Sequence, residues 1–167
     1  MAKIKLRAAV ENDAKFIFEM TSDEDYRKYY LERLLPKSAE DEAKNIRHYF
    51  TMSKKGMQYY FVIMDGKEDV GIADIYKISK EDKRCAIGYG VKREKWGKGI
   101  ASAAVKEIVQ FTKKLGMHTC EATADPKNVG SRKVLLKNGF ESKGVLKDYY
   151  FNNGKYEDRE LFWKILG

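Results

Sequence analysis

The stretch GYGVKREKWGKGIASAAV, Gly88 to Val105, changes its hydrophobic period half-way along. Leading into it, Cys85, Ile87, Tyr89 and Val91 alternate with smaller neighbours, the period of a strand over Arg84 to Val91. From Gly99 onward Ile100, Ala104, Ile108, Phe111 and Leu115 share one helical face, and Gly116 closes the helix. Between the two periods Lys92, Arg93, Lys95 and Lys98 surround a single acid, Glu94, and two glycines bracket Lys98. Glycines at such a junction let backbone approach a ligand, and the free N–H groups and dipole of a helix start favour phosphate. A P-loop would need GxxxxGK followed by Ser or Thr, and the chain has no match. A dinucleotide fingerprint is incomplete too, because Ser102 follows Gly97 and Gly99 where a third glycine belongs. A Gly-rich turn that merely starts a helix stays open on these residues alone.

Outward from this stretch the chain alternates strands and helices. Ile4 to Ala9 reads as a strand, and Glu11 to Tyr30 as one or two helices with Phe16, Ile17 and Met20 on one face. After the break at Pro36, Ser38 offers an N-cap with Asp41 three residues on, a capping box with Asp in place of Glu, and a helix to Ser53. Strands over Gln58 to Met64 and Val70 to Tyr76 precede Arg84 to Val91, with gaps short enough to imply an antiparallel meander. Downstream come a strand from Thr119 to Asp125, stopped by Pro126, and a helix from Asn128 to Asn138. Two strands, Ser142 to Phe151 and Tyr156 to Ile165, close the chain through the turn Asn152-Asn153-Gly154. The order predicts an α/β (α+β) fold: a mixed, mostly antiparallel twisted sheet of six to seven strands with about four helices. One domain over residues 1–167 is expected.

Composition removes several classes of function. With 43% hydrophobic residues among 167, the chain is not of the disordered kind. Its longest nearly unbroken apolar run, Tyr59 to Met64, is far short of the ~20 residues of a membrane helix. The opening MAKIKLRAAVEND lacks the apolar segment of a signal peptide, so a cytoplasmic protein without membrane association is expected. Two cysteines and two histidines make neither a disulfide framework nor a multi-histidine metal cluster, and no metal is expected. The net charge is +8, from 33 Lys and Arg against 25 Asp and Glu. Residues 1–45 carry 9 basic and 10 acidic side chains, which leaves 24 against 15 for the remainder. A basic C-terminal part suits an anionic ligand. Nucleic acid is not the expected partner, since the aromatics fall inside periodic elements and no recognition-helix motif stands out.

The segment resembles the acyl-CoA-binding motif of the GNAT superfamily of N-acetyltransferases: Gln or Arg, two residues, Gly, one residue, then Gly or Ala. Gly99 and Ala101 fill the closing positions, and Trp96 stands at the opening one, a departure typical of the RimJ/RimL-like, ribosomal-protein acetyltransferase branch. DPKNVGSRKVLLKNGF and the ending GVLKDYYFNNGKYEDRELFWKIL are similar to the same branch. The resemblance implies that acetyl-CoA is the co-substrate. It places the pantetheine arm against the strand backbone around Val91 and Arg93. The pyrophosphate falls on Lys98, Gly99, Ile100 and Ala101, with Lys95 and Gly97 beside them. Asn128 would bond the cofactor arm, or serve as a plain N-cap, and the two roles can coexist. A homodimer is compatible with this reading.

For catalysis, the resemblance shows two vacancies. Many family members carry Glu just before the Ile-Gly-Tyr of the strand, where this chain has Ala86; many carry a Tyr acid in the second helix, where it has Leu135. Ser131 is then the best partner for the leaving thiolate, with Tyr149 or Tyr150 behind it. Glu121 is a candidate for a base acting through water. Cys120, close to His118, could in principle carry an acetyl group, but it alternates with apolar neighbours as a structural cysteine does. Without a strong base the acceptor should be an amine that is partly neutral by itself, such as a protein N-terminus. A small amine (polyamine or antibiotic) or a silent acyl-CoA-binding module are the alternatives. Substrate preference is expected in the acidic region that contains Glu11, Asp13, Glu19, Asp23, Glu24 and Asp25.

Overall fold

A computed structural model describes residues 3–167. Seven strands form one sheet in the order β1-β2-β3-β4-β5-β7-β6. They are β1 Ile4–Ala8, β2 Tyr59–Asp65, β3 Glu68–Ser79, β4 Arg84–Val91, β5 Thr119–Ala124, β6 Glu141–Asn152 and β7 Lys155–Ile165. Strands β1 to β4 pair antiparallel in sequence order, as their short connections require. The single parallel step is β4 to β5, bridged by the helix α4 Ile100–Lys114. The closing hairpin turns through Asn153 and Gly154, both with positive φ (49° and 78°), the backbone that a two-residue loop demands.

Helices cover both faces of the sheet. Ile100, Ala104 and Ile108 of α4 are buried in a cluster with Ile63, Ile75, Ile87 and Phe162, together with Leu135 from α5 Val129–Lys137. The opposite face packs α1 Ala14–Thr21 and α3 Ala39–Lys54 through Ile17, Ala43, Ile46 and Val62. The region expected as one or two helices resolves into α1 and the single turn α2 Glu24–Arg27, so five α-helices replace the four expected. Ser38 caps α3, accepting from Asp41 N at 3.0 Å. Asp41 does not complete the box: its carboxylate accepts from Lys37 N, one residue earlier.

Candidate active site

The parallel pairing of β4 with β5 covers only three steps, Arg84–Thr119, Cys85–Cys120 and Ala86–Glu121. Beyond Ala86 the two strands part. Strand β5 stays on β7 as far as Ala124–Glu160, while β4 stays on β3 as far as Val91–Gly71, so each is held by its outer neighbour. The register of β4, extended by Lys92 N donating to Val70 O at 2.8 Å, turns the backbone of Ile87, Tyr89 and Val91 into the resulting slot. Two of its carbonyls are already engaged: Tyr89 O accepts from Tyr30 Oη and Val91 O from Trp96 Nε1, both at 2.8 Å.

At the end of the slot the chain makes a 3-10 turn over Arg93–Lys95 and enters α4. Gly97 (φ 72°) and Gly99 (φ 78°) sit in the left-handed region, and a Cβ on either would meet nothing within 4 Å. Gly99 caps α4 without a side chain, so the first N–H groups of the helix, those of Ile100 and Ala101 among them, face open space. The basic residues here are differently employed. Arg93 meets Asp23 and Asp25 (3.2 and 3.3 Å), and Lys95 meets Glu68 at 2.5 Å. Lys98 has no carboxylate within 4 Å among the described residues.

Helix α5 borders the slot on the α4 side. Asn128 caps it, its Oδ1 accepting from Ser131 N at 3.0 Å, which fixes Ser131 on the first turn. The Ser131 hydroxyl lies 2.8 Å from the hydroxyl of Tyr89. Burial pushes that phenol up, so it stays protonated at neutral pH and can donate to Ser131. Neither Tyr149 nor Tyr150 reaches Ser131. They form an edge-to-face pair on β6, and Tyr150 lies between the guanidinium groups of Arg33 and Arg159. Ala86 and Leu135, the residues at the two positions the resemblance singled out, are buried in the core (1% and 0% exposed). Cys120 is buried and its thiol is pushed up by the neighbouring Cys85 and by burial, which removes it as a nucleophile at neutral pH. Glu121 pairs with Lys77 at 3.4 Å.

The GNAT acetyltransferase domain family matches residues 3–141 of this chain. The chain belongs to the GNAT acetyltransferase family. It is similar to the N-acetyltransferase YoaA of Bacillus subtilis (strain 168), 29% identical over 164 residues that cover 96% of this chain and 92% of that protein. The ribosomal-protein-serine acetyltransferase of Escherichia coli (strain K12) is 26% identical over 169 residues, covering 98% and 93%. Among solved structures, Mycobacterium smegmatis RimJ in complex with CoA-disulfide superposes with a TM-score of 0.89 at 24% identity, covering 97% of this chain and 81% of that one. The GNAT fold and an acetyl-CoA-dependent N-acetyltransferase activity follow, and the resemblance read from the sequence is borne out.

The slot and the glycine turn fit acetyl-CoA. An amide-bearing arm can add to strand edges that the protein leaves unpaired, and phosphates can approach helix N–H groups where no Cβ intervenes. On the α1/α3 side of the sheet the same slot is covered by side chains that the sequence reading passed over. Tyr26 and Tyr30 stack at 4.5 Å, with both hydroxyls against Gly90 in the space a Cβ would fill. Tyr26 is buried, and its hydroxyl has no hydrogen-bond partner among the described residues. One step along, the Asp74 carboxylate of β3 reaches across to Gly88, and its pKa is pushed up to about 7 by desolvation. An acid inside the apolar run VGIADIY was the available signal. Its position relative to β4 was not, because register is a tertiary property. Four of the six acids expected to shape this side stand in ion pairs: Asp13 with Arg7, Glu11 with Arg47, and Asp23 and Asp25 with Arg93.

Proposed function

We propose that the chain transfers the acetyl group of acetyl-CoA to the α-amine of a protein N-terminus, by direct attack of that amine. In this reading the arm of acetyl-CoA lies along Val91 and Arg93. Its pyrophosphate lies on Gly97, Lys98, Gly99, Ile100 and Ala101 with Lys95 alongside, and Asn128 reaches the arm through its free amide hydrogens. Ser131, backed by Tyr89, donates a hydrogen bond to the departing sulfur, the role first assigned to Ser131 with Tyr149 or Tyr150 behind it. As the C–N bond forms and the C–S bond breaks, the proton shed by nitrogen ends on sulfur.

The observation that carries the acceptor assignment is the buried methyl of Ala86, where a strong base would otherwise stand. At pH 7 an α-amine with a pKa near 7.8 is neutral in about one molecule in seven, a lysine amine near 10.4 in about one in 2,500. The difference, about 3.5 kcal/mol, must be supplied by the site for the second acceptor and not for the first. The E. coli relative named for a ribosomal-protein serine supports the same class of acceptor. An acetyl-CoA turnover screen at pH 7 tests the reading, over peptides with free Ser, Ala and Met N-termini, Nα-blocked lysine peptides, polyamines and aminoglycosides. Turnover should concentrate on the free N-termini. A faster polyamine or aminoglycoside would move the chain to the small-amine enzymes. Binding of acetyl-CoA without turnover of any acceptor would make it a silent acyl-CoA module.

A further inference from the structure

Two acids lie among the aromatic side chains on the α1/α3 side of the sheet, and they are satisfied very differently. Glu42, buried in α3, accepts from Tyr60 Oη at 2.9 Å on one oxygen and from Asn45 Nδ2 at 3.2 Å on the other. Asp74, half-buried in the middle of β3, has no hydrogen-bond donor and no Lys, Arg or His partner among the described residues. An unpartnered carboxylate in such a place costs stability, so packing gives no reason for it. Its location is informative. Asp74 faces Gly88 across the β3–β4 ladder, and its Oδ1 lies 2.2 Å from the point a Cβ on Gly88 would occupy. The carboxylate therefore fills the side-chain space of position 88, next on the same face to the vacant Ala86. Gly90, the next position on that face beyond Gly88, is where the two tyrosine hydroxyls converge.

We propose that Asp74 is the general base of the acetyl transfer, delivered from β3 to the place that Ala86 leaves empty on β4. The ammonium group of the acceptor gives one proton to the Asp74 carboxylate, directly or through one water, and becomes the neutral amine. That amine attacks the thioester carbon as described above, and Asp74 returns its proton to solvent. The inference rests on direct attack by an amine, whichever amine attacks. A base near 7 suits an α-amine near 7.8 and falls about three units short of a lysine amine near 10.4, so the acceptor argument from Ala86 stands beside it.

Titration of the pocket agrees with the geometry. Desolvation brings Asp74 to about 7, within about one unit of an α-amine, where a base is most effective. The groups around it are Tyr26, Tyr30, Tyr49, Tyr60 and Tyr76, all pushed above the ordinary phenol value by burial, and Glu42, which burial also raises. The phenols stay neutral through pH 9, so the titrations to control for are Glu42 in the protein and the amine of the acceptor itself.

The test measures kcat/KM from pH 5.5 to 9.5 for Asp74→Asn, Asp74→Glu and Glu42→Gln, with whichever amine the parent enzyme turns over fastest. Asp74→Asn should lose at least about 10²-fold at pH 7, and its remaining rate should rise with pH only along the ionisation of the acceptor amine itself. Asp74→Glu should keep the pH profile of the parent and part of its rate, and Glu42→Gln should keep both. The melting shift caused by acetyl-CoA should be unchanged in all three. Because the folded-state pKa of Asp74 is raised, its cost to stability is absent below the ordinary carboxylate value near 4 and complete above 7. Asp74→Asn should therefore melt higher than the parent at pH 8, with the gap closing by pH 4, which shows that the variant is folded. A folded Asp74→Asn enzyme within threefold of the parent rate at pH 7 overturns the proposal, as does a parent that acetylates no amine. A parent that acetylates only polyamines overturns the N-terminal acceptor and leaves the role of Asp74 standing.

Discussion

At the scale of single residues, the departing thiolate sets the requirement. A thiol pKa near 8.5 makes it a weak base, which needs a hydrogen bond more than a strong acid. Leu135 offers none, being wholly buried in the core. Ser131 can offer one, held on the first turn of α5 by the Asn128 cap and backed by Tyr89 at 2.8 Å. Ser131→Ala should lower single-turnover acetyl transfer at saturating acetyl-CoA by about 10²-fold, with acetyl-CoA binding unchanged. Tyr89→Phe, which leaves the serine in place, should cost less. A Ser131→Ala rate within threefold of the parent would remove Ser131 from the chemistry.

Among the elements, the decisive event is the parting of β4 from β5, and the glycine turn that follows it. Trp96 stands where relatives of the motif carry Gln or Arg, and its indole, 46% exposed, closes on Val91 O to fix where that turn begins. Gly99 then enters α4 at φ 78°, a conformation that β-branched residues strongly resist. Gly99→Val should fold with a lowered Tm, since no neighbour lies within 4 Å to clash. It should lose the rise in Tm that acetyl-CoA gives the parent, because the new methyls stand in front of the free helix N–H groups. A normal acetyl-CoA shift in that variant would move the phosphates away from this turn.

Across the whole molecule, the segment between β1 and β2 forms the roof of the slot on the α1/α3 side. Tyr30 bonds Tyr89 O, Glu32 N donates to Asn152 Oδ1 and Arg33 donates to Phe151 O, so the roof is tied to both β4 and the closing hairpin. Exchanging residues 11–50 for those of a relative with a different acceptor, while keeping Asp23 and Asp25 for Arg93, should change the preferred amine and leave acetyl-CoA affinity as it was. Unchanged preference would assign specificity to the β6–β7 hairpin.

The sequence by itself determined the meander, the β-α-β crossover, the closing hairpin and the glycine turn. Each is a local pattern: alternation with short gaps, a helical face after Gly99, an Asn-Gly pair, glycines around Lys98. Only the resemblance to the GNAT family marks Ala86 and Leu135 as positions where a base and an acid are missing. What the sequence could not show is which residues from distant segments meet. Tyr89 and Ser131 are 42 positions apart, and Tyr30 and Tyr89 are 59. Asp74 reaches Gly88 only because the β3–β4 register sets the two opposite each other, and a slip of one residue would turn it to the other face. Local patterning thus built the frame around the glycine turn. Register and the packing of the segment between β1 and β2 decided which side chains meet on the α1/α3 side, because an antiparallel sheet brings side chains together by pairing and not by nearness in the chain.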